Sequence, residues 1–321
     1  MMTCNLSTNS ETSSMMLEEP VKNRASRVST TVGYASPPPK SPSKLSCQLT
    51  TDTFKSISRY YDNGQDNDQV FFDGALEKLS GLHLGRFLQV HNVQEKFRAK
   101  MIDWMFEVLN IYQQREATIF KSVFLLDLYY ANRVQPESID ELHLLGIVCM
   151  MIASKSEEVK YIKLDAFVNT IGRGKFSKER ILAKEVEVLK VIGFRTAFPT
   201  LHELICCAFR VVDVREERAF FERSALLLAK MCLCSYEMLS NFSLVEIALC
   251  CIVIALKLSE KVANFNSDEC VKKAMKSFGV SDSAVFLKKV QLVHSFVVDF
   301  SSVMPYVKNI ENFNDFMNRG I

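Results

Sequence analysis

The chain has no apolar run long enough to cross a bilayer. Its longest run, residues 247–256, has ten residues, whereas a membrane-spanning helix needs about 20. The N-terminus also lacks the compact apolar stretch of a secretory signal peptide, so we expect the protein in the nucleus and cytoplasm. The chain also lacks a large excess of charge of one sign. The net charge of +2 over 321 residues is too small to indicate nucleic acid or an acidic membrane as a partner.

The ten cysteines form neither a disulfide framework nor a metal-ligand pattern. Pairs such as Cys206-Cys207 and Cys250-Cys251 lie inside apolar runs, and no CxxC or closely spaced His pair accompanies them. Buried free thiols in a reducing compartment explain this pattern better than zinc or disulfide bonds do. We therefore expect no metal and no cofactor.

Enzyme motifs are also missing. The sequence contains no HExxH, no GxSxG, no GxxxxGK followed by Ser or Thr, and none of the HRD or DFG elements of a kinase. Residues 172–175 resemble a phosphate loop, but no Ser or Thr follows the lysine and no strand pattern precedes it. The five histidines are scattered along the chain. These absences predict a protein that is not an enzyme and has no catalytic residues.

The first 60 residues differ in composition from the rest. They contain 20 Ser or Thr residues and five of the eight prolines. Such a segment buries too little apolar surface to offset its chain entropy, so residues 1–60 are predicted to be a disordered regulatory arm. Ser36 and Ser41 each precede a proline and are candidate phosphorylation sites, although short matches of this kind are common by chance in Ser/Pro-rich tails.

From about residue 70 onward the apolar residues recur at spacings of three and four. Met101, Met105 and Val108 follow this period, which is typical of a helix with one buried face. No segment shows the sustained alternation of a strand. The pattern predicts an all-α fold, beginning with a short helix near residues 71–79.

A repeat with an offset of 248 − 146 = 102 residues aligns residues 146–158 with residues 248–260. Each copy follows a Ser-x-x-Glu helix start, at Ser138 and Ser243, and ends in a lysine with an acid three residues later. A helix that is apolar all round must be surrounded by other helices, so the two copies predict two bundles of about 100 residues each. Chance similarity between two apolar helices is the alternative, and the shared cap, lysine and acid favour duplication.

Residues 97–108, FRAKMIDWMFEV, contain the only tryptophan of the chain. This segment resembles the cyclin-box motif MRAILVDWLVEV of A- and B-type cyclins. The identical positions are Arg98, Ala99, Asp103, Trp104, Glu107 and Val108. Further resemblances follow in the family's order: residues 126–129 to YIDRFL, residues 142–158 to LQLVG…ASKYEE, and residues 185–200 to the end of the first box. The strong part of the resemblance covers about residues 95–202.

The resemblance to cyclins implies two tandem five-helix cyclin-box bundles. The expected boundaries are residues 61–196 for the N-terminal box, 197–310 for the C-terminal box and 311–321 for a tail. It also implies a regulatory subunit that binds and activates a cyclin-dependent Ser/Thr kinase in cell-cycle control. The alternative is a cyclin-fold transcription or adaptor protein without kinase activation. A transcription factor of that type would have a zinc ribbon and a strongly basic surface, and the sequence predicts neither.

The resemblance assigns a kinase-binding role to Lys155 and Glu185, which would grip the PSTAIRE-type helix of the kinase. The other implied contacts are Ser156, Glu157, Glu158 and Leu189. Ser156 stands where the family normally has an aromatic residue. Without the family, a lysine at the end of its own helix and a solvated glutamate would be the better explanation of Lys155 and Glu185, and the resemblance reverses that preference.

A docking groove for RxL-type substrates or inhibitors is also implied. Its positions would be Phe97, Lys100, Trp104, Glu107, Leu142 and His143. Phe97, Lys100 and His143 replace the usual Met, Ile and Gln, so a charge stands where apolar surface is expected. Core packing explains Trp104 equally well on composition alone.

The resemblance further implies a structural ion pair between Arg98 and Asp127. Both residues lie on largely apolar helix faces, and a buried charge is tolerated only when it is paired.

Overall fold

The computed structural model describes residues 64–80, 82, 84, 87–91, 93–212, 214, 218–258, 266–280, 282–311 and 315–316. The predicted arm, with Ser36 and Ser41, lies outside the described residues. The helices are α1 (Gly64–Ser80), α2 (Phe87–His91), α3 (Glu95–Ile111), α4 (Glu116–Asn132), α5 (Leu142–Glu157), α6 (Lys178–Val191), α7 (Leu201–Val212), α8 (Arg218–Cys234), α9 (Tyr236–Asn241), α10 (Leu244–Leu258), α11 (Ser267–Ser277), α12 (Ser283–Val298) and α13 (Phe300–Val303). No strand occurs in these described segments, and the prediction of an all-α fold is confirmed.

Helix α5 is the centre of the first bundle, which consists of α2 to α6. It packs against α3, α4 and α6, and every residue from Leu144 to Ser154 is buried. Gly146 lets α3 approach closely, because a Cβ at this position would lie 2.5 Å from the Sδ of Met101. The absence of charge on every side of this stretch explains why α5 requires neighbours all round.

Helix α10 has the same place in the second bundle, which consists of α7, α8 and α10 to α12. Residues Ile247 to Leu256 are all buried, and α10 packs against the other four helices. Both copies of the repeat therefore form central helices, as predicted. Helix α1 lies within the range predicted for the first box, but it packs against α7 and α10 of the second bundle.

The two predicted helix starts differ in detail. At Ser243 the capping box is complete, since Glu246 N donates to the Ser243 hydroxyl at 3.2 Å and Ser243 N donates to Glu246 Oε2 at 2.8 Å. Ser138 instead caps a 3₁₀ turn, Ile139–Glu141, that precedes α5. Glu141 there forms an ion pair with Arg180 of α6. The capping box at Ser138 is therefore only half formed, because Arg180 on the neighbouring helix binds the Glu141 carboxylate.

Candidate functional site

Lys155 and Glu185 form an ion pair where the end of α5 meets α6. Lys155 Nζ lies 2.7 Å from Glu185 Oε1, and the two side chains are 40% and 14% exposed. Lys155 is in the last turn of α5, where the helix dipole favours a cation. Neither side chain is enclosed by the bundle, so another protein can reach the pair.

Exposed apolar side chains lie close to this pair in the chain. Leu182, Val186 and Leu189 are spaced by four and three residues, so they share the outer face of α6 with Glu185. Leu182 and Val186 are exposed, and Leu189 is partly buried against the core. We call this face, together with Lys155 and the residues that directly follow each helix, the α5/α6 surface.

The segments after α5 and α6 add three more exposed apolar side chains. Val159 and Tyr161, which follow α5, are 97% and 54% exposed, and Phe194, which follows α6, is 64% exposed. Phe194 has a φ of 56°, and its N–H donates to Leu189 O at 2.7 Å. This hydrogen bond keeps Phe194 beside the C-terminus of α6.

The sequence interpretation missed most of this apolar surface. It listed Leu189 but not Leu182, Val186 or Phe194. The available signal was a second apolar stripe in α6, in addition to the buried stripe that contains Ile181 and Val188. A surface helix needs only one such stripe for the core, so the second one indicates a surface that contacts another molecule.

The three residues after Lys155 differ in what they contact. Ser156 is exposed, and its hydroxyl donates to Ala153 O at 3.0 Å. Glu157 forms an ion pair with Lys121, with 3.2 Å between Oε1 and Nζ. All three predicted kinase contacts thus have partners inside the protein, since Glu158 is also bound internally, and both acids are held by side chains of other segments.

Glu158 caps the start of α4. Its carboxylate accepts from Arg115 N at 2.8 Å, from the Arg115 guanidinium at 3.2 Å and from the Thr118 hydroxyl at 2.5 Å. Partial burial raises the pKa of the Glu158 carboxyl, but the hydrogen bonds from Thr118 and Arg115 outweigh it and hold this pKa below its usual value. Glu158 therefore fixes α4 relative to the end of α5.

Lys121 is a buried cation that the sequence interpretation did not single out. Besides its ion pair with Glu157, its ammonium donates to Thr196 O and Phe198 O, both at 3.0 Å. These carbonyls belong to the connector between the two bundles. Lys121 thus holds the connector beside the end of α5, at the edge of the α5/α6 surface.

The predicted docking groove lies on another face of the first bundle. Phe97, Lys100 and Glu107 are exposed on α3, and Trp104 is partly buried between them. The Trp104 and His143 rings are 4.8 Å apart, edge to face. Leu142, by contrast, is buried in the core. The exposed positions and His143 therefore form one continuous surface, with Leu142 behind it.

Phe176 is buried behind this surface, at 3% exposure, and was missed in the sequence. Its ring centroid lies 5.5 Å from that of His143, in an edge-to-face arrangement. Burial, and secondarily the charge of Lys175, lowers the pKa of the His143 imidazole. His143 is therefore a neutral aromatic side chain near neutral pH, between Trp104 and Phe176. We call Phe97, Lys100, Trp104, Glu107 and His143 the α3/α5 groove, and Phe176 is buried behind it.

Arg98 and Asp127 form a buried, bidentate ion pair. The Arg98 guanidinium donates to the two carboxylate oxygens at 2.8 Å and 2.6 Å, and the side chains are 0% and 1% exposed. Arg98 Nη1 also donates to Leu233 O of α8 at 2.9 Å. The pair is inaccessible to a partner, and it connects the first bundle to the second.

Asp103 also makes a long-range connection. Its carboxylate accepts from Lys308 N at 3.0 Å, from Asn309 N at 2.7 Å and from the Asn309 side-chain amide at 3.0 Å. Three hydrogen bonds thus fasten the segment after α13 to α3. This acid within residues 97–108 has an architectural role that the sequence interpretation did not assign.

In the part of the chain that the structure describes, no group of three or more His, Cys, Asp or Glu side chains could hold a metal ion. The described helices also include none that is both long and apolar enough to span a membrane.

Part of the chain is similar to known proteins. Residues 79–197 match the family model described as the N-terminal domain of cyclins. The chain is 32% identical over 114 residues to G2/mitotic-specific cyclin-B2 of Anguilla japonica, a match that covers 36% of this chain and 28% of that protein. It is 34% identical over 110 residues to cyclin-A2-3 of Arabidopsis thaliana, covering 34% of this chain and 24% of that protein. The chain thus spans less than a third of the length of these two relatives.

Two solved structures are similar at low sequence identity. A viral cyclin from herpesvirus saimiri has a TM-score of 0.46 and 15% identity, covering 60% of this chain and 89% of that one. A chain of the CAK complex from Chaetomium thermophilum bound to ATP-γ-S has a TM-score of 0.43 and 13% identity, covering 84% and 90% respectively.

Residues 79–197 of the chain thus match the N-terminal domain of cyclins. Its relatives include A- and B-type cyclins, so the resemblance found in the sequence is confirmed.

Proposed function

We propose that this chain binds a cyclin-dependent Ser/Thr kinase through the α5/α6 surface and activates it, without catalysing a reaction itself. The observation that carries the proposal is the accessible Lys155–Glu185 ion pair on a surface with several exposed apolar side chains. An interface of this kind combines apolar area for affinity with charges that set orientation.

The exposed apolar side chains indicate that the surface is covered in a complex. Val159, Phe194 and Val186 contribute little to the bundle while they stay exposed. Clustered apolar exposure on a soluble protein is a mark of an interaction site. Burial of these side chains by a partner would supply favourable free energy in proportion to the apolar area covered.

The ion pair adds specificity for a helix in the partner. A lysine ammonium has three donor hydrogens, and Lys155 uses one of them on Glu185. The remaining donors can bind carbonyl groups at the C-terminal end of a helix, while Glu185 Oε2 can accept from a partner N–H or cation. Such contacts fit the PSTAIRE-type helix that the family resemblance implies as the ligand.

Activation would follow from differential binding to two kinase conformations. A cyclin shifts the kinase toward its active arrangement only to the extent that it binds that arrangement more tightly. An interface that reorients a helix and orders a loop needs a large area, on the order of 2,000 Å². The α5/α6 surface would form its centre, and we propose the nucleus and cytoplasm as the site of action.

A kinase assay with a matched control tests this proposal. Purified full-length chain is mixed with cyclin-dependent kinases that have a PSTAIRE-type helix, and phosphate transfer to a substrate peptide is measured. The double variant Lys155→Ala/Glu185→Ala should lower activation by about tenfold or more, as expected for central interface residues. The control Lys257→Ala/Asp268→Ala removes an ion pair of similar length, 2.6 Å, from the corresponding position of the second repeat and should leave activation unchanged.

Two results would count against the proposal in different ways. A folded double variant that activates the kinase fully would remove Lys155 and Glu185 from the contact. A folded wild-type chain that binds none of these kinases would reject kinase activation altogether and would favour the adaptor alternative.

A further inference from the structure

Helix α12 has apolar residues on its outer face as well as on its buried face. Phe286, Val293 and Phe296 are buried, and the helix packs against α8 and α10. Val285 and Leu292 are seven residues apart and therefore lie on one side of the helix, where each is more than half exposed. A surface helix needs one apolar stripe for its own core, so this second stripe indicates a contact with another molecule.

The outer stripe continues into α13. The Asp299 N–H donates to Ser295 O at 3.0 Å, and the Val303 N–H donates to Asp299 O at 3.0 Å. These hydrogen bonds have the spacing of four residues found within an α-helix, so the helical path runs from α12 into α13. Val303, at the end of α13, is half exposed.

Two charged side chains lie on the same stripe. Lys288 and Asp299 continue its spacing of three, four and seven residues. Both side chains are exposed, and within the described residues neither forms an ion pair or a hydrogen bond. The adjacent Lys289, by contrast, is paired with Glu246 of α10. Lys288 and Asp299 can therefore bind charges on another molecule.

The order of these residues is almost symmetrical about residues 293 and 294. Lys288 and Asp299 have their midpoint between these two positions, and Val285 and Val303 have theirs at residue 294. Leu292 lies next to both midpoints. When two such helices run antiparallel, the cation of each faces the acid of the other, and the outer apolar residues face one another. A two-fold dimer needs this self-complementarity, because it uses the same patch twice.

We propose that α12 and α13 bind the same two helices of a second copy of this chain in antiparallel orientation. Lys288 of each copy pairs with Asp299 of the other, and the two Leu292 side chains are in contact at the centre. Parallel pairing is unfavourable, because it places lysine opposite lysine and aspartate opposite aspartate. The inference goes beyond the proposed function, since α12 and α13 contribute no residue to the α5/α6 surface.

The size of the surface sets the expected affinity. Residues 283–303 form about 30 Å of helix at about 1.5 Å per residue. A single pair of helices of this length buries less than the roughly 1,600 Å² of a standard interface. The dimer should therefore be weak, with a Kd on the order of tens of micromolar.

Analytical ultracentrifugation of the full chain tests the inference. Sedimentation equilibrium is measured at low salt from about 5 µM to about 200 µM, a range that includes the expected Kd. The average mass should rise from that of one chain toward that of two. Added salt should lower the dimer fraction, because the ion pairs are near the surface. A chain that stays monomeric over the whole range would overturn the inference.

Charge exchange locates the interface and determines its orientation. Lys288→Glu and Asp299→Lys each place like charges opposite one another at two points and should weaken dimerisation about tenfold or more. The double variant Lys288→Glu/Asp299→Lys restores opposite charges and should recover the wild-type Kd to within about threefold. The control Lys276→Glu makes the same charge change at an exposed lysine of α11 and should leave the Kd unchanged.

A mixture of the two single variants gives the sharpest result. In a mixed dimer each copy faces the charge that complements its own, so the mixture should dimerise about as tightly as wild type although neither variant does so alone. The Asp299 side chain caps no helix, so these variants should stay folded, and thermal unfolding checks this. A dimer that is unaffected by both single changes, or a folded double variant that stays as weak as either single variant, would overturn the inference.

Discussion

The two central helices, α5 and α10, each end near a lysine that forms an ion pair, but the surroundings of the two pairs differ. Lys155 ends α5 and binds Glu185 at 2.7 Å, while Lys257 ends α10 and binds Asp268 at 2.6 Å. The lysines occupy equivalent repeat positions and are 40% and 41% exposed. Their acids differ, because Glu185 is 14% exposed and Asp268 is 73% exposed. The Lys155–Glu185 pair is therefore packed into the α5/α6 surface, whereas the Lys257–Asp268 pair is largely surrounded by solvent.

The helices that supply the two acids explain this difference. Helix α6 has exposed apolar residues beside Glu185, whereas no large apolar side chain of α11 is exposed. On α11 the side chains near Asp268 in sequence include Lys272 and Lys273. The repeat therefore reproduces the scaffold and its lysine, and the neighbouring helix decides whether that lysine lies on a surface suited to a partner.

The largest expected effect on stability comes from a residue that joins the two bundles. Arg98→Ala would leave the Asp127 carboxylate buried and unpaired and should lower the free energy of unfolding by about 3–5 kcal/mol. Urea unfolding measures this loss of stability. The control is Arg218→Ala, which removes the more exposed ion pair with Glu222 and should cost at most about 1 kcal/mol. A loss below about 1 kcal/mol in Arg98→Ala would show that the bundles do not depend on this pair.

The cores of the two central helices should respond alike. Ile147 in α5 and Ile252 in α10 are both fully buried. Replacing either with alanine should cost about 2–5 kcal/mol, because each substitution leaves a cavity that the neighbouring helices fill incompletely. Urea unfolding of both variants checks this expectation. A cost above about 2 kcal/mol for one and near zero for the other would break the equivalence of the two bundles.

Helix capping gives a smaller, pH-dependent effect. Glu158→Ala removes the cap of α4 and should cost about 1 kcal/mol at pH 7. The pKa of Glu158 is lowered in the folded protein, so its contribution is complete above the unfolded value of about 4.3 and is lost as the pH falls through the folded value. Thermal unfolding at several pH values should therefore show the gap to wild type narrowing in acid.

The matching variant in the second bundle is Glu246→Ala. Burial raises the pKa of Glu246, but hydrogen bonds from Lys289 and Ser243 outweigh it and lower this pKa. The difference in thermal stability between Glu246→Ala and wild type is therefore also expected to become smaller in acid. A gap that stays constant with pH in either variant would contradict a charge-dependent cap there.

The smallest effect on stability is expected for the two exposed lysines. Lys155→Ala and Lys257→Ala should each change the free energy of unfolding by less than about 1 kcal/mol, because partly exposed ion pairs contribute little. Under the proposed function only Lys155→Ala lowers kinase activation. Equal losses of activation in both variants would show that the surroundings of Lys155 do not distinguish it.

Much of the fold follows from local patterns in the sequence. The period of three and four residues predicts the helices, and the apolar stretches 146–153 and 248–256 predict the two buried central helices. Arg98 and Asp127 were expected to pair because charges inside apolar faces require partners. The packing of α1 against the second bundle was not predicted, since no local signal tells which neighbour an amphipathic helix covers.

By itself the sequence determined the all-helical class, the duplicated bundle and the resemblance to cyclins, because helix period, caps and motif spacing depend on residues near one another in the chain. Tertiary structure decided which of the acids after Lys155 are free to meet a partner. Glu157 and Glu158 bind Lys121 and Arg115, groups that are about 40 residues away in sequence, and such pairings depend on how the helices pack. For the same reason, the apolar stripe of α6 and the place of Phe176 beside His143 became visible only in the folded chain.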